Sequence, residues 1–166
     1  RVEITGTTKE PGSKIEHDGI ILEEGHQQFT ILPIMHHCSP QTEGIMKYKG
    51  IFKDQSSCFF HGLIQVDPGA SKSVSRLEEH SILLSEKARS DALPALDIRQ
   101  NDVSISHAAS VSKEDPEKIF YLMSRGLSEE EAKKILTEGF LENLLSNITH
   151  PKWCEMTREA IESKLA

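Results

Sequence analysis

The sequence predicts an all-β body followed by a small helical domain. Short runs of apolar and β-branched residues recur from Gly19 to about Ser106, with Gly, Pro, Asn, Asp and Ser between them. No helical period of convincing length appears before Ser112. Beyond Asp115 the apolar spacing changes to threes and fours. These observations divide the chain into a β body over 1–111 and a helical domain over 112–166. Stacked coils of a parallel β-helix would produce such unevenly spaced strands, because each coil buries its apolar face only against the next. A sandwich or barrel is the alternative.

The strand candidates, in order, are Gly19–Leu22, Gln28–Met35, Ile45–Phe52, Ser57–Val66, Ser81–Ser85, Ala95–Ile98 and Val103–Ser106. The richest run, from Cys58 to Val66, suits a strand buried on both faces. In the last third, Asp115-Pro116-Glu117 reads as an N-cap, a proline at the first helical position and an acidic first turn. That helix stops at Gly126, which suits a left-handed cap. Ser128 with Glu131 forms a capping-box pattern opening a second helix, whose stripe runs Ala132, Ile135, Leu136, Gly139, Phe140, Leu144. Pro151, followed by Trp153, Met156, Ala160, Ile161 and Leu165, opens a third.

Composition narrows the partners. With 19 basic and 26 acidic residues the net charge is −7, which disfavours nonspecific binding to nucleic acid or an anionic membrane. No apolar run approaches the ~20 residues that span a bilayer. Cys38, Cys58 and Cys154 make no disulfide framework, so a reducing, cytoplasmic setting is expected. The chain begins at Arg1 in strand-like sequence, as a fragment or a processed N-terminus would.

Candidate chemistry is sparse. His107 could bind iron or zinc, or exchange a proton near neutral pH, against the plainer reading of a hydrogen-bonded histidine at a strand end. His36-His37-Cys38 and Cys58-x-x-His61 carry zinc-type donors, but Cys58 and His61 lie three apart and point to opposite faces of a strand, so a structural role is preferred. His17, His26 and His80 are isolated and read as surface residues. No nucleophile elbow and no phosphate-binding glycine loop is present, so the chain is not expected to be an enzyme, and any ATP chemistry belongs to another subunit. Tyr121 and Arg125 lie on the polar face of the first helix. They fit either a helix-dipole role or an anchor for a protein partner.

The segment from Pro94 to Ala109 resembles the P-x-L-E-I-x-x-D-D-V-x-x-S-H-G-A pattern of the SufB/SufD family of iron–sulfur cluster assembly proteins. The run Phe120-Tyr-Leu-Met-Ser-Arg-Gly126, with Ala132 following, resembles the family's F-Y-L-x-S-R-G motif. Tyr48-Lys-Gly and Phe60-His-Gly-Leu-Ile-Gln-Val resemble its inner coils. The resemblance runs from about Cys38 to Leu145. It implies a parallel, right-handed β-helix with a C-terminal helical domain, pairing with a SufB-type paralogue and docking a SufC-type ATPase. By position, Tyr121, Arg125, Gly126, Ala132 and Phe140 would face that ATPase. His107 would lie at the paralogue interface, where a transient iron–sulfur cluster is built, with none held stably by this chain alone. Glu79 and Ala108 stand where SufB carries a cysteine and a glutamate, which implies a SufD-type subunit. Two alternatives are a carbohydrate-active β-helix enzyme, with Asp97 and Asp102 as candidate acids, and a structural homodimer without a metal role.

Overall fold

A computed structural model describes residues 1–165; Ala166 and the side chain of Leu165 lie outside the described residues. Ten strands among the described residues wind into four stacked coils. The first coil holds β1 (Val2–Thr8) and β2 (Lys14–Glu23), and the second holds β3 (Gln28–His37) and β4 (Glu43–Phe52). The third holds β5 (Ser57–Phe60), β6 (Leu63–Val66) and β7 (Val74–Leu83). The fourth holds β8 (Arg89–Ala92), β9 (Ala95–Ile98) and β10 (Ser104–Lys113). Every pairing between coils is parallel, and Val2 pairs with Ile31, Ile31 with Phe60 and Phe60 with Ala92. The repeat of about thirty residues defines a solenoid, the β-helix of the two architectures expected. One wall carries β1, β3, β5, β6, β8 and β9, and the other stacks β2, β4, β7 and β10.

The corners repeat with the coils. Gly12, Gln41 and Lys72 each precede the strand of the second wall, and all have positive φ. At the opposite corner Gly25 and Asp54, which precede β3 and β5 of the first wall, also have positive φ. Only glycine takes this conformation at no steric cost. Beside the first corner, Thr42 and Ser73 join hydroxyls at 2.8 Å, and Thr42 meets the His37 ring at 2.7 Å, all three fully buried. The buried Thr42 and Ser73 hydroxyls thus find hydrogen-bond partners inside the bend.

Strand alternation fills the interior. Met35, Met46, Phe52, Phe60, Ile64 and Leu77 point inward and are fully buried. Several strand expectations require correction. β1 has no counterpart among the expected strands, and β2 starts at Lys14 rather than Gly19. The run from Cys58 to Val66 breaks at His61-Gly62 into β5 and β6. β7 starts at Val74, well before the expected Ser81, because its inward residues Ser75, Glu79 and Ser81 hide the apolar alternation. β8, with the same lack of apolar residues, has no counterpart among the expected strands. His17, read as a surface residue, turns inward. A Cβ on Gly6 would lie 2.8 Å from its ring, so Gly6 makes the room.

Two carboxyls are buried among these residues. The Glu79 side chain accepts a hydrogen bond from Ser81, and burial raises its pKa. Glu23 is 2% exposed, and burial pushes its pKa up from 4.5 to about 7, partly opposed by the Cys58 thiol and the Phe29 amide. The folded chain thus holds this proton more tightly than the unfolded chain does. Stability is expected to fall as pH rises from the ordinary carboxylate range through about 7, and to level off above it. Glu23→Gln should flatten that slope by on the order of 1 kcal/mol per pH unit in thermal unfolding followed across this range. An unchanged slope would remove Glu23 as its source.

The helices lie over the outside of the second wall. α1 (Pro116–Ser124) is capped by Asp115, whose side chain accepts from the amides of Glu117 and Lys118. It ends at Arg125 with Gly126 in the left-handed region. α2 (Glu129–Leu145) opens with the expected reciprocal capping box between Ser128 and Glu131. Its buried face runs Ala132, Thr137, Leu141, Leu144 and Leu145, leaving Ile135 and Gly139 exposed. The packing stripe is therefore rotated from the predicted one, because the outward Ile20, Leu22 and Ile51 of the solenoid select the contact. α3 (Pro151–Leu165) adds Ile161 to this second core, and Arg158 grips Glu142 of α2 at 2.7 and 2.9 Å.

Candidate functional site

His107 sits opposite the fully buried Leu77 in the β7–β10 ladder. In-register parallel strands turn matching side chains to one side, so His107 faces the interior side of the stack. No further coil lies beneath it among the described residues, and the ring is exposed. Ile105, Ala109 and Val111 share its face. From the other wall, Leu96 and Ile98 continue the columns of buried Ile64 and Val66, yet each is 41% exposed. The imidazole therefore lies in the apolar open end of a solenoid. Among the described residues no hydrogen bond or ion pair occupies either ring nitrogen.

The expected placement of His107 at a strand end requires correction. β10 continues to Lys113, so the histidine is mid-strand, and the Ala-Ala-Ser-Val run is ladder rather than connection. Parallel pairing of Ala108–Val111 with Glu78–Ser81 overrides the weak strand preference of the Ala-Ala-Ser run.

The helical candidates fall into two groups. α1 buries none of its residues; Phe120 is 72% and Tyr121 56% exposed, with Met123 exposed beside them. Arg125 donates to the Tyr121 hydroxyl at 3.2 Å and lies over its ring, 5.1 Å from the centroid. The pair is ordered in advance yet faces solvent. Gly126 follows directly, exposed and at φ +97. Ala132 and Phe140 belong to the seat of the helices. Ala132 is fully buried, and Phe140 packs against the solenoid with Lys49 over its ring at 4.8 Å. Lys49 also donates to the Phe140 carbonyl.

The other sequence candidates separate clearly. Cys58 is buried in the core, where burial raises its thiol pKa, and His61 is half-buried, its ring meeting the Leu93 carbonyl at 2.9 Å. Asp97 is held by Arg99 through two hydrogen bonds of 3.1 and 2.8 Å, while Asp102 lies in the corner before β10. His36 and Cys38 do meet, but with Asp67, which carries no local motif in the sequence. Its one sequence signal is the repeat length, since Asp67 lies one coil beyond Cys38.

Stacked parallel coils with an appended helical domain define the β-helix class of proteins, here with His107 at an uncovered coil end and with α1 exposed. A family profile described as SUF system FeS cluster assembly, SufBD core domain, matches residues 1–140. The chain belongs to the SufB/SufD family. It is 37% identical over 129 residues to the iron–sulfur cluster assembly protein SufD of Bacillus subtilis, covering 78% of this chain and 30% of that protein. A SufBD family protein of Mycobacterium bovis is 36% identical over 124 residues, 75% of this chain and 15% of its own length. SufB of Bacillus subtilis is 33% identical over 124 residues, 75% of this chain and 27% of that protein. The chain thus spans less than a third of these relatives. No helix among the described residues is long and apolar enough to cross a membrane.

Proposed function

We propose that the protein carrying this chain is a SufD-type scaffold subunit of iron–sulfur cluster assembly. It pairs through its last coil with a SufB-type paralogue and presents α1 to a SufC-type ATPase. The observation that carries this reading is His107 with two unpartnered nitrogens in an apolar, uncovered coil end. Stacking a second solenoid there would bury Leu96, Ile98 and Val111, dry the site and bring the paralogue's donors to the imidazole. Iron and sulfide are then cargo at the interface, and His107 acts as an iron ligand or a proton carrier. The SufD assignment is supported by Glu79, which stands where SufB carries a thiol, and by the higher identity to SufD than to SufB. ATP hydrolysis belongs to the partner, in keeping with the lack of a phosphate loop. The setting is a reducing one, the cytoplasm.

His107→Ala should leave the complex with the paralogue and the ATPase assembled while lowering its iron and sulfide content severalfold. Size-exclusion chromatography with metal and sulfide analysis reads both quantities. An undiminished cluster yield would overturn the assigned role of His107, and failure to co-purify with a SufC-type ATPase would overturn the docking role.

A further inference from the structure

On the outer face of the first wall, at the end remote from α1 in the sequence, three unlike donors converge. Alternation along β3 turns His37 fully inward, so His36 and Cys38 both project outward. The Cys38 amide donates to the Thr8 carbonyl at 3.1 Å, and the Asp67 amide donates to the His37 carbonyl at 2.9 Å. Asp67 therefore follows β6 one coil away, next to the Cys38 position. The His36 Nε2 lies 3.0 Å from an Asp67 carboxylate oxygen, and the Cys38 Sγ lies 3.5 Å from the same ring nitrogen. All three donor atoms fall within 4.8 Å of one another.

We propose that His36, Cys38 and Asp67 form a binding site for one divalent transition-metal ion of the zinc or ferrous class, separate from the His107 end. Ligand bonds of about 2.0–2.3 Å place tetrahedral donors about 3–4 Å apart, so the present spacing needs only side-chain rotation to close on an ion. An imidazole, a thiolate and a carboxylate together cancel the charge of a dication. Their mixed softness selects borderline metals over magnesium or calcium. Three protein ligands leave a fourth position for water or an incoming ligand, the form of an open site rather than a closed structural one. Two of the donors belong to or directly follow β3 and the third directly follows β6, so strand pairing rather than a loop sets their separation. The plainer account is a His36–Asp67 ion pair with a bystander thiol. At 26% and 34% side-chain exposure such a pair contributes little to stability, so it gives no reason for the thiol.

This inference is independent of the cluster-assembly reading, and the probe is Co²⁺ titrated into the full chain under reducing conditions. The wild type should bind one equivalent and show a thiolate-to-cobalt charge-transfer band. Cys38→Ser should abolish the band, whereas Cys154→Ser should keep it. His36→Ala and Asp67→Asn should each weaken binding at least tenfold with circular dichroism unchanged. A wild type without the band, or a band of equal strength in Cys38→Ser, overturns the site. Unchanged affinity in both His36→Ala and Asp67→Asn overturns it as well.

Discussion

Phe60→Ala is expected to lower the unfolding free energy by about 3–5 kcal/mol, the loss that follows when a large ring is cut from a tightly packed interior. Phe60 is 1% exposed at the centre of the third coil, between Ile31 of the coil before and Ala92 of the coil after. Its ring meets Tyr48 from the opposite wall at a centroid distance of 5.1 Å and 59° tilt, the geometry that favours aromatic pairs. A solenoid has no centre to collapse toward, because each coil touches only its neighbours. The cavity would therefore persist between coils instead of being absorbed. Denaturant unfolding measures the loss, and Phe60→Leu, which keeps most of the volume, should cost far less. A loss below about 1 kcal/mol for Phe60→Ala would mean that the coils carry their stability independently.

Arg125→Ala is expected to weaken binding of a SufC-type ATPase by about 1–2 kcal/mol or more, roughly five- to thirtyfold, while leaving thermal stability unchanged. The separation of the two effects follows from the structure. Among the described residues the Arg125 side chain's hydrogen bond and ring contact are both to Tyr121, and no α1 residue belongs to either core cluster. Its stacked geometry over Tyr121 pre-orders a long side chain, which lowers the entropy cost of engaging a partner. Tyr121→Ala should produce a loss of similar size. The double variant should fall short of the sum, because each side chain positions the other. Titration calorimetry with the ATPase reads all three, and full affinity in Arg125→Ala would remove the anchor from the proposed interface.

Much of the tail is legible in the sequence because its signals are local. Asp115, Pro116, Gly126, Ser128 and Glu131 each act on backbone groups within a few residues, and every one of them occupies the cap or stop read from the chain. The central strands β3 and β4 are legible where β-branched and apolar runs are dense, and so is the edge strand β9. β7 and β8 are not, since their inward positions hold Ser75, Glu79, Ser81 and Ser90, which bury polarity that only neighbouring coils make tolerable. The buried face of α2 differs from the expected one by a fraction of a turn, as Ile135 against Thr137 shows. Helical periodicity identifies a stripe, but the surface beneath chooses which edge of it is buried.

The sequence by itself determined the division into β body and helices, the caps that bound α1 and α2, and the motif residues around His107 and Arg125. The caps follow from short-range sterics and hydrogen bonding, which act before the chain is packed, and the motif residues stand out through the family resemblance. The tertiary structure decided that His107 opens into a bare coil end, that Ala132 is sealed while Tyr121 is not, and that Asp67 meets His36 and Cys38. The first and last of those outcomes depend on register between coils about thirty residues apart, and the second on how α2 seats on the outer wall. Register is fixed by stacking the interior columns, a property of the folded chain that no short window of residues contains.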